Sequence, residues 1–155
     1  MATQQARFLS GRYRTEALCS NWSQNSNGHC KLSSDCQTLE DTRHILQTCS
    51  ALAATREKLM KFTSSYCKSH SMVASLLQQY CDPECRLFCQ FIIDCSVLPE
   101  VIAAVQNHGE LILEHLFNVT RIWIYTLHRD RLKMLGRWRN FGKVWRLQWG
   151  HARHS

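Results

Sequence analysis

Only two prolines interrupt the 155 residues, and no apolar/polar alternation runs longer than four residues. The sequence therefore excludes a sheet as its main element, and the expected fold is mostly α. No segment combines a basic start, an apolar run and a small-residue cleavage site, so no secretory signal is read. The longest apolar stretch, Leu111 to Leu127, is broken by Glu114, His115 and Arg121, which excludes a membrane-spanning helix. Acidic residues all but vanish near the end of the chain. Residues 121–155 hold one Asp/Glu against nine Lys/Arg, whereas residues 1–120 hold 11 against 10. The net charge of +7 thus resides in the C-terminal stretch, and a basic tail on a near-neutral body points to an anionic partner such as nucleic acid.

Cysteine, by contrast, is abundant. Nine cysteines, an odd number in a chain without a secretory signal, are expected to be reduced and the protein intracellular, in the nucleus or cytoplasm. Cys30, Cys36, His44 and Cys49 follow the spacing C-x5-C-x7-H-x4-C, and four nitrogen and sulfur ligands are what a closed tetrahedral zinc site requires. The first pair lies in a polar loop containing Ser33, Ser34 and Asp35; the second lies on Thr38 to Thr48, which reads as a helix. The step from His44 to Cys49 turns about 140° on an ideal helix, so Cys49 is expected in a frayed or tightened last turn. The competing reading makes the cysteines small buried hydrophobes and His44 a surface histidine. One structural zinc ion is the expected cofactor. Cys19 is read as a spectator across a turn-forming run ending at Gly28.

Helices are expected before Cys19, broken at Gly11; after Cys49, capped by Ser50 and carrying Leu52, Ala53, Arg56, Leu59, Met60 and Phe62; over residues 71–80; from Asp82-Pro83 through Ile93; from Pro99 through Val105; and from about Glu110 onward. Cys81, Cys85, Cys89 and Cys95 suggest a second metal site, but the apolar company of Leu87, Phe88, Phe91 and Ile92 favours plain burial. The last helix carries a stripe of Trp123, Leu127, Met134, Trp138, Phe141, Trp145 and Trp149, with Arg129, Lys133, Arg137, Arg139 and Lys143 projecting elsewhere. Gly136 and Gly142 weaken its continuity past Leu135. Three roles remain open for this stretch: core with a solvated basic face, nucleic-acid contact through those five cations, or docking to an anionic membrane or partner groove. The organisation is a small zinc-stapled loop-helix module over residues 1–65 followed by a helical bundle and a long basic C-terminal helix over 66–155, or a single compact unit.

The ligand block, with Glu40 and Asp41 ahead of His44-Ile-Leu-Gln-Thr-Cys49 and with Ser50-Ala-Leu and Arg56 behind, resembles the cysteine/histidine motif at the C-terminal end of reverse-transcriptase polyproteins from non-LTR (LINE-like) retrotransposons. Leu9 to Cys19, Asp94 to Pro99 and Leu127 to Trp138 are similar to other parts of that tail. The resemblance implies the ligands Cys30, Cys36, His44 and Cys49, a nucleic-acid-binding role (RNA or DNA), and a parent polymerase domain as former partner. It makes the chain a detached terminal piece or stand-alone relic of such a polyprotein. No Asp-Asp dipeptide is present, so the paired-aspartate polymerase centre is missing, and nuclease-like paired carboxylates with a lysine are missing too. The expected protein is a non-catalytic zinc-binding, nucleic-acid-binding module; the alternative is a structural or protein-interaction domain.

Overall fold

The computed structural model describes residues 13, 15–21, 24 and 26–136. Among them the elements are α1 (Glu16–Ser20), a π-helical turn (His44–Thr48), a 3-10 turn (Ser50–Leu52), α2 (Ala53–Ser69), α3 (Ser71–Tyr80), α4 (Phe88–Ile93), a 3-10 turn (Cys95–Val97), α5 (Pro99–His108) and α6 (Leu111–Met134). The only β pairing among the described residues is an isolated bridge between His29 and Leu39. The mostly α expectation holds.

The long helix α6 is the axis of packing. Ile112, Leu116, Val119, Trp123, Ile124 and Leu127 recur at steps of three and four and one, forming one buried face. Helix α2 runs antiparallel to it: Thr55 bonds Asp130, Thr63 bonds Trp123 and Tyr66 bonds His115, so rising numbers on one meet falling numbers on the other. Trp123 is fully buried, and its indole N–H donates to Thr63 Oγ1 at 3.0 Å while Phe88 meets its ring edge-on at 5.2 Å. A large apolar body can be buried here because its single polar atom finds an acceptor.

Several expected boundaries hold. Residues 71–80 are helical, Pro99 occupies the first turn of α5, and Gly109, with φ of 87°, ends it. Helix α6 stops at Met134, and Gly136, with φ of 67°, donates its N–H to Lys133 O. Trp138, Phe141, Trp145 and Trp149 lie outside the described residues, as does the stretch before Gly11.

Other expectations differ. Cys19 and Ser20 belong to α1, because Thr15 Oγ1 caps that helix by accepting the N–H of Leu18. Ser50 opens a 3-10 turn instead of capping α2; Cys49 and Leu52 are both fully buried there, and the regular register begins only at Ala53. Asp82-Pro83 starts no helix. Asp82 accepts the N–H of Glu84 in a local turn, and the Gln47 side-chain amide takes the carbonyls of Pro83 and Cys85, so consecutive turns lead to α4 at Phe88. In α6 the stripe passes through His128 and Arg131, both buried, while Met134 is 48% exposed. The boundary at residue 65 falls inside α2, and Tyr13, Cys30, Ile45, Leu46 and Cys49 share one hydrophobic cluster with Phe88 and Trp123.

Candidate metal centre

The loop carrying the first two cysteines is a short pinned finger. Cys30 N–H donates to Thr38 O at 2.9 Å and Glu40 N–H to Gly28 O at 2.9 Å, which brackets the His29–Leu39 bridge, and Cys36 N–H closes a turn on Ser33 O. Gly28 makes the entry possible. Its φ is 78°, which strains any larger residue, and a Cβ there would also press on Leu39 Cδ1 at 3.0 Å.

The second pair sits on a helical turn that opens at Thr42, not at Thr38, since Leu39 is held in the bridge. Asp41 caps it by accepting the N–H of His44 at 2.6 Å. The turn then widens: Cys49 N–H bonds His44 O at 2.7 Å, an i to i+5 link. A π turn therefore brings residues five apart onto one side, where a tightened turn had been expected. Ile45 and Leu46 inside the turn are fully buried and anchor it to the core.

These two supports bring together all four residues read from the spacing. Ligand atoms of Cys30, Cys36, His44 and Cys49 lie within 4.8 Å of one another, a grouping able to hold a metal ion. Cys30 Sγ is 3.8 Å from Cys49 Sγ, far beyond a disulfide bond, and Cys36 Sγ is 3.4 Å from His44 Nε2. The other ring nitrogen, Nδ1, is 3.2 Å from Thr48 Oγ1; with Nδ1–H donating to that hydroxyl, Nε2 keeps its lone pair for the cluster. Burial, aided by the neighbouring sulfur atoms, pushes the Cys30 thiol up to about 12. Burial also holds His44 below its ordinary value, with Glu40 and Asp41 pulling the other way. Cys30, His44 and Cys49 are buried and Cys36 is half-buried, so the centre meets solvent on the Cys36 side.

The other cysteines do not join such a group. Among the described residues this is the one cluster of His, Cys, Asp and Glu with metal-holding geometry, and neither Cys19 nor the Cys81, Cys85, Cys89, Cys95 series belongs to it. Burial pushes Cys81 and Cys95 up to about 12 and Cys89 up to about 11, so these behave as neutral, apolar thiols.

The cationic residues are divided. Arg137, Arg139 and Lys143 lie outside the described residues. Arg129 Nε is 2.9 Å and Lys133 Nζ 3.6 Å from the same Asp130 Oδ1; Lys133 is exposed, as the helical pattern suggested, and Arg129 is half-buried. Burial opposes ionisation of Asp130, but Arg129 and the Thr55 hydroxyl hold its carboxyl below the usual range. Two buried arginines that the sequence reading did not assign to the site bond residues of the Cys30–Cys49 block. Arg131 makes a forked pair with Glu40, Nη2 to Oε1 at 2.5 Å and Nε to Oε2 at 3.3 Å, and Glu40 also accepts the N–H of Glu16. Arg56, placed by its spacing within an apolar stripe, is 7% exposed and donates to Cys49 O. That odd placement was the only signal for it; the Glu40–Arg131 pair, 91 residues apart, has none in the sequence. No helix among the described residues is long and apolar enough to cross a membrane. The chain matches no protein-family model, no curated protein and no solved structure.

Proposed function

We propose that this chain is a non-catalytic zinc-binding module whose basic C-terminal stretch contacts nucleic acid. One observation carries the metal reading: three sulfurs and an imidazole nitrogen converge within 4.8 Å from two separately braced segments. Two of the six edges match those of a zinc tetrahedron. A tetrahedron with Zn–S bonds of about 2.3 Å has sulfurs about 3.8 Å apart, and with Zn–N near 2.0 Å its mixed edge is about 3.5 Å. The Cys30–Cys49 and Cys36–His44 separations are 3.8 and 3.4 Å. A donor set rich in thiolate favours zinc over hard cations, and four protein ligands leave no open position for an activated water. The role is therefore structural. Cobalt(II) titrated into the chain should give the absorption of a tetrahedral thiolate site, with zinc displacing it; an octahedral spectrum would reject the assignment.

The nucleic-acid reading is supported by charge and by the resemblance to non-LTR retrotransposon tails, and the charge now points further along the chain than helix α6. Arg131 is committed to Glu40, while Arg129 and Lys133 share Asp130. Residues 137–155 carry five Lys/Arg and no acid, interleaved with Trp138, Phe141, Trp145 and Trp149. Cations between aromatics suit phosphates and stacked bases. In an anisotropy titration on duplex at several salt concentrations, changing Arg137, Arg139 and Lys143 to glutamine should flatten the slope of log affinity against log salt by about 0.9 per charge. Glutamine at Arg129 and Lys133 should change it less. An unchanged slope in the triple variant would favour the protein-interaction alternative.

A further inference from the structure

Arg56 presents a charge problem that the fold alone does not solve. It is 7% exposed; Nη2 donates to the backbone oxygen of Cys49, and Nη1 is buried without a hydrogen-bond partner. No carboxylate among the described residues pairs with it: Glu40 is engaged by Arg131, and Asp41 caps the turn at His44. A guanidinium does not lose its proton in proteins, and a buried charge without a counter-charge is strongly destabilising. Its one hydrogen bond goes to the backbone of Cys49, a member of the cysteine cluster, so that cluster is the candidate source of negative charge.

Resting on the zinc reading above, we propose that Arg56 is the buried counter-ion of the metal centre. A divalent ion with three thiolates and a neutral imidazole leaves one net negative charge, and Arg56 supplies one positive charge beside Cys49. With neutral thiols in place of the loaded centre, the guanidinium would have only a carbonyl dipole for company. Arg56 is thus a positioning residue: it touches no metal, but its field stabilises the thiolate form and its hydrogen bond holds the backbone of a ligand.

The test uses the full chain with Arg56→Met, which keeps much of the apolar stem, and Arg56→Lys, which keeps the charge. Zinc affinity is measured by competition with a chromophoric chelator. Sulfur-to-metal charge-transfer absorption is recorded on the cobalt(II)-loaded proteins. Arg56→Met should weaken zinc binding about 10- to 100-fold, the range usual for residues supporting metal ligands. Its charge-transfer band should move to lower energy, because thiolate electrons freed from a nearby cation are easier to promote. Arg56→Lys should keep the band near the native position and recover most of the affinity. A merely structural arginine would lower the melting temperature of both variants and leave the band of the folded, loaded protein in place. Native affinity and band position in Arg56→Met would overturn the proposal, and so would a lysine variant as impaired as the methionine one. Failure of the unaltered chain to bind zinc or cobalt would instead overturn the metal reading itself.

Discussion

Removal of the metal with a strong chelator should unfold helices far from the cysteines, including α5 and α6, rather than only residues 28–50. One of the two organisations read from the sequence separates a zinc-stapled module over residues 1–65 from the helices of 66–155. The packing argues otherwise. Ile45, Leu46 and Cys49 are fully buried in the same cluster as Phe88 and Trp123, Glu40 reaches Arg131 on α6, and Gln47 holds the chain at Pro83 and Cys85. Structural zinc supplies about 10–16 kcal/mol in small sites, as much as the whole stability of about 5–15 kcal/mol typical of a domain. A single cooperative loss of far-UV helical signal on chelation is the expected result; retention of most of it would show that the helices stand without the centre. The pH dependence should have opposite signs in the two states. In the loaded protein, protons compete for the thiolates, so acidification releases the metal. In the fraction of the stripped chain that is folded, burial raises Cys30 to about 12, so its contribution is present below the ordinary thiol value and is lost as pH climbs toward about 12.

Arg131→Met should cost about 3–5 kcal/mol in urea unfolding at fixed zinc, the range for removing one partner of a buried ion pair. The side chains of Arg131 and Glu40 are 4% and 0% exposed, and the guanidinium also lies over the Tyr13 ring. Burial alone would lower the Arg131 value, yet its hydrogen bond and attraction to Glu40 raise it, so the guanidinium stays charged. With Arg131 gone, Glu40 would be an uncompensated buried carboxylate. Adding Glu40→Gln should therefore recover part of the loss, a non-additivity expected of contacting residues. The salt slope of nucleic-acid binding should stay unchanged, because this cation faces inward. A loss below about 1 kcal/mol would mean that the pair is solvated and the finger is not locked to α6.

How far these features could be read in advance depends on whether their cause is local. Pro99, Gly109 and the apolar spacing of residues 71–80 act within a few residues, and their helices appear where expected. The Cys30, Cys36, His44 and Cys49 grouping was legible because residues able to share a metal leave a spacing. The π turn between His44 and Cys49 was not, since it follows from burying Ile45 and Leu46 while Asp41 fixes the start. Asp82-Pro83 carries a good helix-start signal that fails because Gln47, distant in sequence, takes the carbonyls. Helical spacing likewise cannot reveal that Arg131, to which the pattern gave no role, has a carboxylate waiting 91 residues upstream. Nor can it reveal that Asp130 gathers Arg129 and Lys133.

Metal content by elemental analysis, taken on the native chain and on Cys36→Ser, tests the central claim most directly. Cys36 is the most suitable ligand to change, being half-buried at the solvent side, so its serine variant removes a sulfur with little loss of packing. The account predicts one zinc per native chain and a fraction near zero in the variant after dialysis against a weak chelator. Native protein without zinc would contradict it, as would a variant that retains its metal.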